Sequence, residues 1–401
     1  MIMAYMKNKK IFGFLIAGML LHISPVYGQD NNKILQLIEQ NNTQLKAARK
    51  STSAETMDNK TGLNLKNPEI EFSHKWNTKH PNEKGKELGI TQELEWDVIS
   101  GQRKKLARSK NELSEMQFQQ TRTSVMADAQ MKLVELSYHN NMIKELQLQL
   151  QHADSLVNIY ETLLQNGNGN VLDVNRSKLN KTSILTELQN LNAQKKCIIE
   201  SLCNMNDGKE LPLADNFTFT MQGIPEDFEA WFKSIEPNIP DLNYQNKNIE
   251  IMKKNVQTTK SEMIPSLSIG YRAEFSNSES MHGFAIGMSI PLWENKNKVK
   301  KSKLEVEVAQ SNAKDKYRTV YDELKKQYIL SVELKESLQK QQQALNELNT
   351  VTLMNEALQK GEINLMDYLN ETARYYELRK NKIQTEKDFL TAISLLHIYE
   401  L

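Results

Sequence analysis

Two stretches of this chain, 102–166 and 292–360, contain neither glycine nor proline, and each runs into the same punctuation. In the first it is Gln165, Gly167, Asn170, Val171, Leu172 and Asp173; in the second it is Gln359, Gly361, Asn364, Leu365, Met366 and Asp367, every position displaced equally and without a gap. A pattern repeated at that distance is an internal duplication. Uninterrupted runs of this length predict helices reaching roughly 98 Å, several times the width of an ordinary domain.

The nine prolines leave 82–211 and 292–401 free of the residue that most strongly breaks helices. Four of them fall between Pro212 and Pro240, a segment carrying Phe217, Phe219, Phe228, Trp231 and Phe232, and 209–240 therefore reads as an irregular connector between two halves. Shorter helices are expected at 29–61, 170–207, 241–264 and 362–401. Within each half, two short helices laid end to end match one long one, as a bundle of constant height requires. Tyr317, Tyr321, Leu324 and Tyr328, then Ile184, Leu188 and Leu191, then Leu338, Leu345 and Leu348 step at helical spacing, the mark of a packing seam in antiparallel coiled coils.

Strand signals also come twice. Apolar residues alternate with polar ones at Ile70, Phe72, His74 and Trp76, and again at Leu88, Ile90, Leu94 and Trp96, predicting strands at about 69–76 and 87–96. The second half repeats this at about 266–275 and 284–292. About ten residues per strand, with aromatics such as Trp76, Trp96 and Trp293 near the ends, matches a transmembrane barrel, although a hairpin on a soluble domain shares the pattern.

The N-terminus carries Lys7, Lys9 and Lys10, an apolar run from Ile11 to Leu21, and Val26-Tyr27-Gly28 before Gln29. This reads as a signal peptide over 1–28, too short in its apolar part to span a bilayer. Its removal takes three lysines and no acid from a chain of net charge +1, leaving −2. Nucleic acid is not an expected partner. No later run is apolar enough for a transmembrane helix, so any membrane crossing falls to strands. Four strands cannot close a barrel and lipid tolerates no open edge, so three copies with twelve strands are the economical solution.

With these features the chain resembles the TolC-like outer-membrane efflux proteins. The likeness rests on the strand-to-helix passages Ile90–Arg103 and Ile286–Val299, on the two tip motifs, and on their order across two repeats, 29–208 and 241–401. The resemblance implies a mainly α fold with a small transmembrane β part: duplicated helical hairpins and four strands per chain, a homotrimer forming a 12-stranded barrel in the outer membrane, and an α-helical tunnel through the periplasm. It implies a passive channel that meets a periplasmic adaptor linked to an inner-membrane pump. The short length, with no tail after Leu401, resembles the heavy-metal branch of that family. The tip residues Gly167, Asn170, Asp173, Gly361, Asn364 and Asp367 then become candidates for the gate and the adaptor contact. Where the family often adds a second acid three residues on, this chain has Asn370 and Arg176. Asp173 and Asp367 also suit helix N-capping, and the two glycines suit a left-handed helix end.

Catalytic chemistry has little footing. The histidines are scattered without ligand spacing, and Cys197 and Cys203 point apart on one helix. No enzyme activity, metal or cofactor is expected. A non-conducting periplasmic coiled-coil adaptor is the competing reading, and it predicts one helical hairpin flanked by β-rich modules.

Overall fold

The computed structural model describes residues 27–400 apart from 77, 80–83, 215, 221, 277–278, 292, 294 and 348–349. The expected signal peptide lies outside the described residues but for Tyr27 and Gly28, as do Leu292 and Leu348. The first half runs α1 (Tyr27–Asn41), α2 (Thr43–Asp58), β1 (Glu69–Trp76), β2 (Lys84–Leu94), the single turn α3 (Trp96–Ile99), α4 (Gln102–Gln165) and α5 (Val171–Met205). After α6 (Phe228–Ile235) the second half runs α7 (Pro240–Ser261), β3 (Ser266–Ser276), β4 (Ser280–Ser289), α8 (Lys298–Glu347), α9 (Thr350–Gln359) and α10 (Leu365–Leu396).

Several boundaries differ from expectation for identifiable reasons. The helix expected over 29–61 is two, because the Asn42 side chain accepts from the Leu45 amide at 3.0 Å and starts a new helix. Its own amide still bonds to the Ile38 carbonyl at 2.8 Å, so the chain bends there without opening. The strand expected over 87–96 begins at Lys84 and stops at Leu94, and Trp96 starts α3. The second long run is helical only from Lys298, and on either side of residues 348–349 it is described as α8 and α9. The connector is not wholly irregular, since it holds α6, capped by the Asp227 carboxylate on the Glu229 and Ala230 amides.

α4 is 64 residues long, roughly 96 Å. Along one half of its length it packs on α2 and α7, and along the other on α5 and α10. α8 likewise runs beside α7 and then α10. The short helices are stacked end to end, as their lengths require. Asn41 Nδ2 donates to Asn206 Oδ1 at 2.9 Å and Asn42 Nδ2 to the Met205 carbonyl at 3.0 Å, joining the foot of α5 to α1 and α2. In the second half the Tyr399 hydroxyl, just past α10, donates to Asp241 at the start of α7 at 3.2 Å.

The connector clamps both joints. Phe217 and Phe219 are buried among Ile34, Ile38, Leu133, Leu136 and Leu202, where α1, α4 and α5 meet. Its backbone has no strand partner among the described residues, and side chains take that place: Asn140 donates to the Phe217 carbonyl, Asn31 donates to the Thr220 carbonyl, and the Phe219 amide donates to Ser137 Oγ. At the other joint Phe228, Phe232 and Ile235 pack on Val320, Leu324 and Leu396. The seam read from Tyr317, Tyr321 and Tyr328 therefore meets α6 and not a facing long helix. Tyr321 lies edge-on to both Phe228 and Phe232, with ring centroids 5.4 and 5.1 Å away.

Candidate functional site

The four strands form one antiparallel sheet in the order β1-β2-β3-β4, so the two halves are joined through β2 and β3. Directly paired residues share a face, which makes the register decisive. Ile70 pairs with Ile90, Ile90 with Tyr271, and Tyr271 with Phe284. Ile269 pairs with Ile286 and Leu267 with Met288 on the same side. Among the described residues nothing covers this apolar face: Trp76 is 68% exposed, Ile286 82% and Phe284 91%.

The opposite face carries Glu69, Glu71, Lys75, Glu87, Arg272 and Glu274, interrupted by glycine. Lys75 Nζ sits 2.6 Å from Glu87 and Arg272 3.6 Å from the same carboxylate, while Glu274 lies directly across from Glu87. Gly270 faces the Ile90 carbonyl closely enough that an added Cβ would fall 2.9 Å from it. A large uncovered apolar face backed by a charged one is the reverse of a soluble sheet, whose apolar face packs on a core.

Trp76 is level with Lys84 at the end of the sheet remote from the helices, while Trp96 and Trp293 lie at the helix end, the latter 78% exposed. From Lys84 to Trp96 is roughly 40 Å along an extended strand. At the 35–45° tilt of a transmembrane barrel that becomes about 30 Å, matching an apolar band of about 25 Å bounded by aromatic girdles.

At the far end of the helices the two tip motifs fold alike. Gly167 and Gly361 take φ values of +77° and +72°, a left-handed conformation that other residues adopt only with strain. Around each, two amides close the helix in the same way. Asn168 donates to the Leu163 carbonyl at 2.9 Å and Gly167 to Leu164 at 3.1 Å; Glu362 donates to Ala357 at 2.9 Å and Gly361 to Leu358 at 3.1 Å.

The next helix starts on asparagine, not on aspartate as expected. Asn170 Oδ1 accepts from the Leu172 amide at 2.9 Å and Asn364 Oδ1 from the Asp367 amide at 3.0 Å. Asp173 and Asp367 sit at the third helical position, where the partial positive charge of the helix start favours an acid without a direct cap. Sequence reasoning had the signal, because asparagine precedes each helix; the acid drew attention only because it carries charge.

The two tips differ electrostatically. Arg176 reaches Asp173 at 3.1 Å and neutralises it. Asp367 is exposed and has no ion pair among the described residues, and Asn370 is exposed beside it. Leu365 and Tyr368 bury against Leu156, with Tyr160, Met354 and Leu358 around them, so the second tip is held on α4. Burial raises the Tyr368 and Tyr160 phenols, and nearby Asp173 adds to the rise at Tyr160. Tyr368 accordingly stays a donor, bonding Asn355 Oδ1 at 2.7 Å.

One tie went unforeseen because its partners lie far apart in sequence. Glu145 of α4, with its side chain only 4% exposed, receives Arg379 Nε at 2.8 Å and Nη2 at 2.7 Å from α10. One residue on, Lys380 reaches Glu187 of α5 at 2.7 Å. Among the described residues no cluster of three or more His, Cys, Asp or Glu side chains is arranged to hold a metal ion, and no helix is long and apolar enough to cross a membrane.

The whole arrangement is shared with known channel structures. The chain is similar to CusC, which forms a transmembrane channel, with a TM-score of 0.76 and 14% identity over 93% of this chain and 92% of that one. It is similar to the CmeC outer membrane channel of Campylobacter jejuni (TM-score 0.73, 16% identity, 92% of this chain, 85% of that one). It is also similar to the outer membrane protein VceC of Vibrio cholerae (TM-score 0.75, 12% identity, 92% and 96%). No protein-family model matches the sequence, and no curated protein matches it. The fold is that of these channels: paired helical hairpins, end-to-end short helices and a four-stranded sheet.

Proposed function

We propose that the protein is the outer-membrane channel of an efflux or export system, a homotrimer that gives passive exit to substrates delivered by an inner-membrane pump through a periplasmic adaptor. One observation carries this reading: the sheet leaves its apolar face uncovered and gathers its charges on the other. In water that face would be an aggregation surface; in lipid it is satisfied. β1 and β4 have outer edges without partners among the described strands, and lipid does not tolerate such edges. Three copies joined β4 to β1 supply twelve strands and a lumen wide enough to conduct.

The helices extend the same logic. The chain exposes 26890 Å², against roughly 16,000 Å² for a compact monomer of its 46.3 kDa mass. The exposed flanks of the long helices are available to neighbouring protomers. α4 and α8 then surround a water-filled tunnel, closed at the end where Gly167 and Gly361 turn the hairpins. Three copies of unpaired Asp367 in a closed tip repel one another, which favours opening or a bound cation. Asp173, neutralised by Arg176, contributes little to that repulsion. Energy and direction come from the pump, and the protein supplies the sealed conduit and its gate.

The periplasmic-adaptor reading requires one hairpin and β-rich modules, whereas two hairpins share a single sheet here. The deciding experiment is fractionation followed by reconstitution. A heat-modifiable trimer in the outer membrane that conducts in a planar bilayer supports the channel. Release of the mature chain with the soluble periplasm, or a detergent-free monomer, refutes it.

A further inference from the structure

The junction between sheet and helices carries a charge asymmetry that conduction does not require. Residues 102–110 hold five cations and no acid, and residues 295–304 hold another five and no acid, in a chain whose 51 basic and 50 acidic residues balance overall. These two segments are the starts of α4 and α8. They stand at one level, because Ser261 at the end of α7 bonds to Gln102 at 2.7 Å while Thr259 meets Ser302 at 3.3 Å and Asn295 reaches the Glu262 carbonyl at 2.6 Å.

Three of the ten are used internally: Arg103 on Asp97 and Glu95, Lys298 on Glu262, and Lys301 on Glu305. The other seven, among them Lys104, Lys105, Arg108, Lys300 and Lys303, have no ion pair among the described residues. Lys104 and Arg108 are one helical turn apart, as are Lys300 and Lys303, and such like-charge spacing opposes folding in plain water. An anionic surface turns the same spacing into an attraction.

The neighbouring apolar residues identify that surface. Trp96 and Ile99 of α3, and Trp293, are exposed and come just before the two basic segments in the chain. Aromatic rings at headgroup depth followed by lysines with long aliphatic stems are the pattern of a membrane interface. Lys104, Lys105 and Arg108 span a rise of about 6 Å, less than the screening length of about 8 Å at physiological ionic strength, so these cations act together on an anionic surface.

We propose that this collar binds anionic phospholipid headgroups of the leaflet on the helix side of the barrel, fixing the depth of the trimer in the membrane. The inference rests on the channel reading given above. The ligand chemistry is a phosphodiester, and the source is the bilayer.

The test uses the full chain inserted in bilayers of phosphatidylcholine containing about a third phosphatidylglycerol, then cut out with its surrounding lipid into polymer discs for lipid analysis. One cation near such a surface is worth about a five-fold preference for the anionic lipid. The ratio of phosphatidylglycerol to phosphatidylcholine in the discs is expected to exceed the bulk ratio by at least that factor. It should fall steeply toward the bulk value when Lys104, Lys105, Arg108, Lys300 and Lys303 are together replaced by Gln. Equal ratios for the two proteins overturn the proposal. So does an enrichment that inorganic phosphate abolishes at constant ionic strength, which would make the collar a free-phosphate site, and so does binding that follows cell-wall sacculi in place of the bilayer. A variant with unchanged lipid ratio but altered ion selectivity would put these cations in the lumen, again against the proposal. Flotation with phosphatidylcholine alone separates the two levels: a chain that inserts there but shows no anionic enrichment in the mixed bilayer refutes the collar only, while one that inserts in neither bilayer refutes the channel as well.

Discussion

Replacing Arg379 with Met tests the tie between the second hairpin and α4. The carboxylate of Glu145 is almost completely buried and receives two guanidinium bonds of 2.7 and 2.8 Å, with Gln149 supplying a third at 3.1 Å. Removing one partner of a buried pair leaves an uncompensated charge and costs about 3–5 kcal/mol. Arg379 is 37% exposed on its side chain, so water replaces part of what is lost and the low end, about 3 kcal/mol, applies. Unfolding entropy of about 2.1 cal/mol/K per residue, over roughly 375 residues, turns this into a fall of about 4 °C in the apparent melting temperature. Glu145→Gln in the same background removes the orphaned charge, so the double variant should recover most of the loss. The assay is a double-mutant cycle on the trimer in detergent, followed by circular dichroism. A coupling energy below about 0.5 kcal/mol would mean that the pair is incidental and that apolar packing alone holds the hairpin.

Gly167→Ala and Gly361→Ala should each lose about 1–2 kcal/mol through backbone strain alone, since an added Cβ at either position meets no atom within 4 Å; no change in urea midpoint would contradict the left-handed turn. Asn364→Ala should lose about 1 kcal/mol while Asp367→Ala loses less, the order that separates cap from charge, and Asp367→Ala should alter the conductance or ion selectivity of the channel if the acid gates it. On the sheet, Ile286→Arg should weaken barrel assembly by about 2–4 kcal/mol, whereas Glu274→Gln on the opposite face should leave trimer yield intact and change ion selectivity. With acid, the Glu250 carboxylate, lowered to about 2 chiefly by its bond to Lys247 and then by that to Lys254, gives a stability contribution present above the usual carboxylate value of 4.5. That contribution is lost as pH falls toward 2, and it is small because the group is largely in water; Glu250→Gln should flatten this part of a stability-against-pH profile.

Residue order alone settled the duplication, the helical territories and the alternating strands, because each depends on neighbours within one turn or one strand. Proline and glycine mark boundaries locally, and the tip glycines at 167 and 361 could be read as left-handed helix ends before any coordinate was known. The equality of lengths between long and paired short helices was also legible. Less legible were the restart at Asn42, which turns on one side-chain hydrogen bond, and the late start of α8, which follows a left-handed φ of +67° at Asn297.

What tertiary structure decided is how distant segments meet. The register that gathers Ile70, Ile90, Tyr271 and Phe284 on one uncovered face depends on β2 pairing with β3 across nearly two hundred residues. Alternation predicts two faces for each strand but cannot say which faces coincide, because pairing register is a long-range choice. The Arg379–Glu145 tie, the placing of the starts of α4 and α8 at one level, and the use of Phe228 and Phe232 to cover the Tyr321 seam have the same origin. Each joins groups whose proximity is set by the stacking of helices end to end, a consequence of packing that no local periodicity encodes.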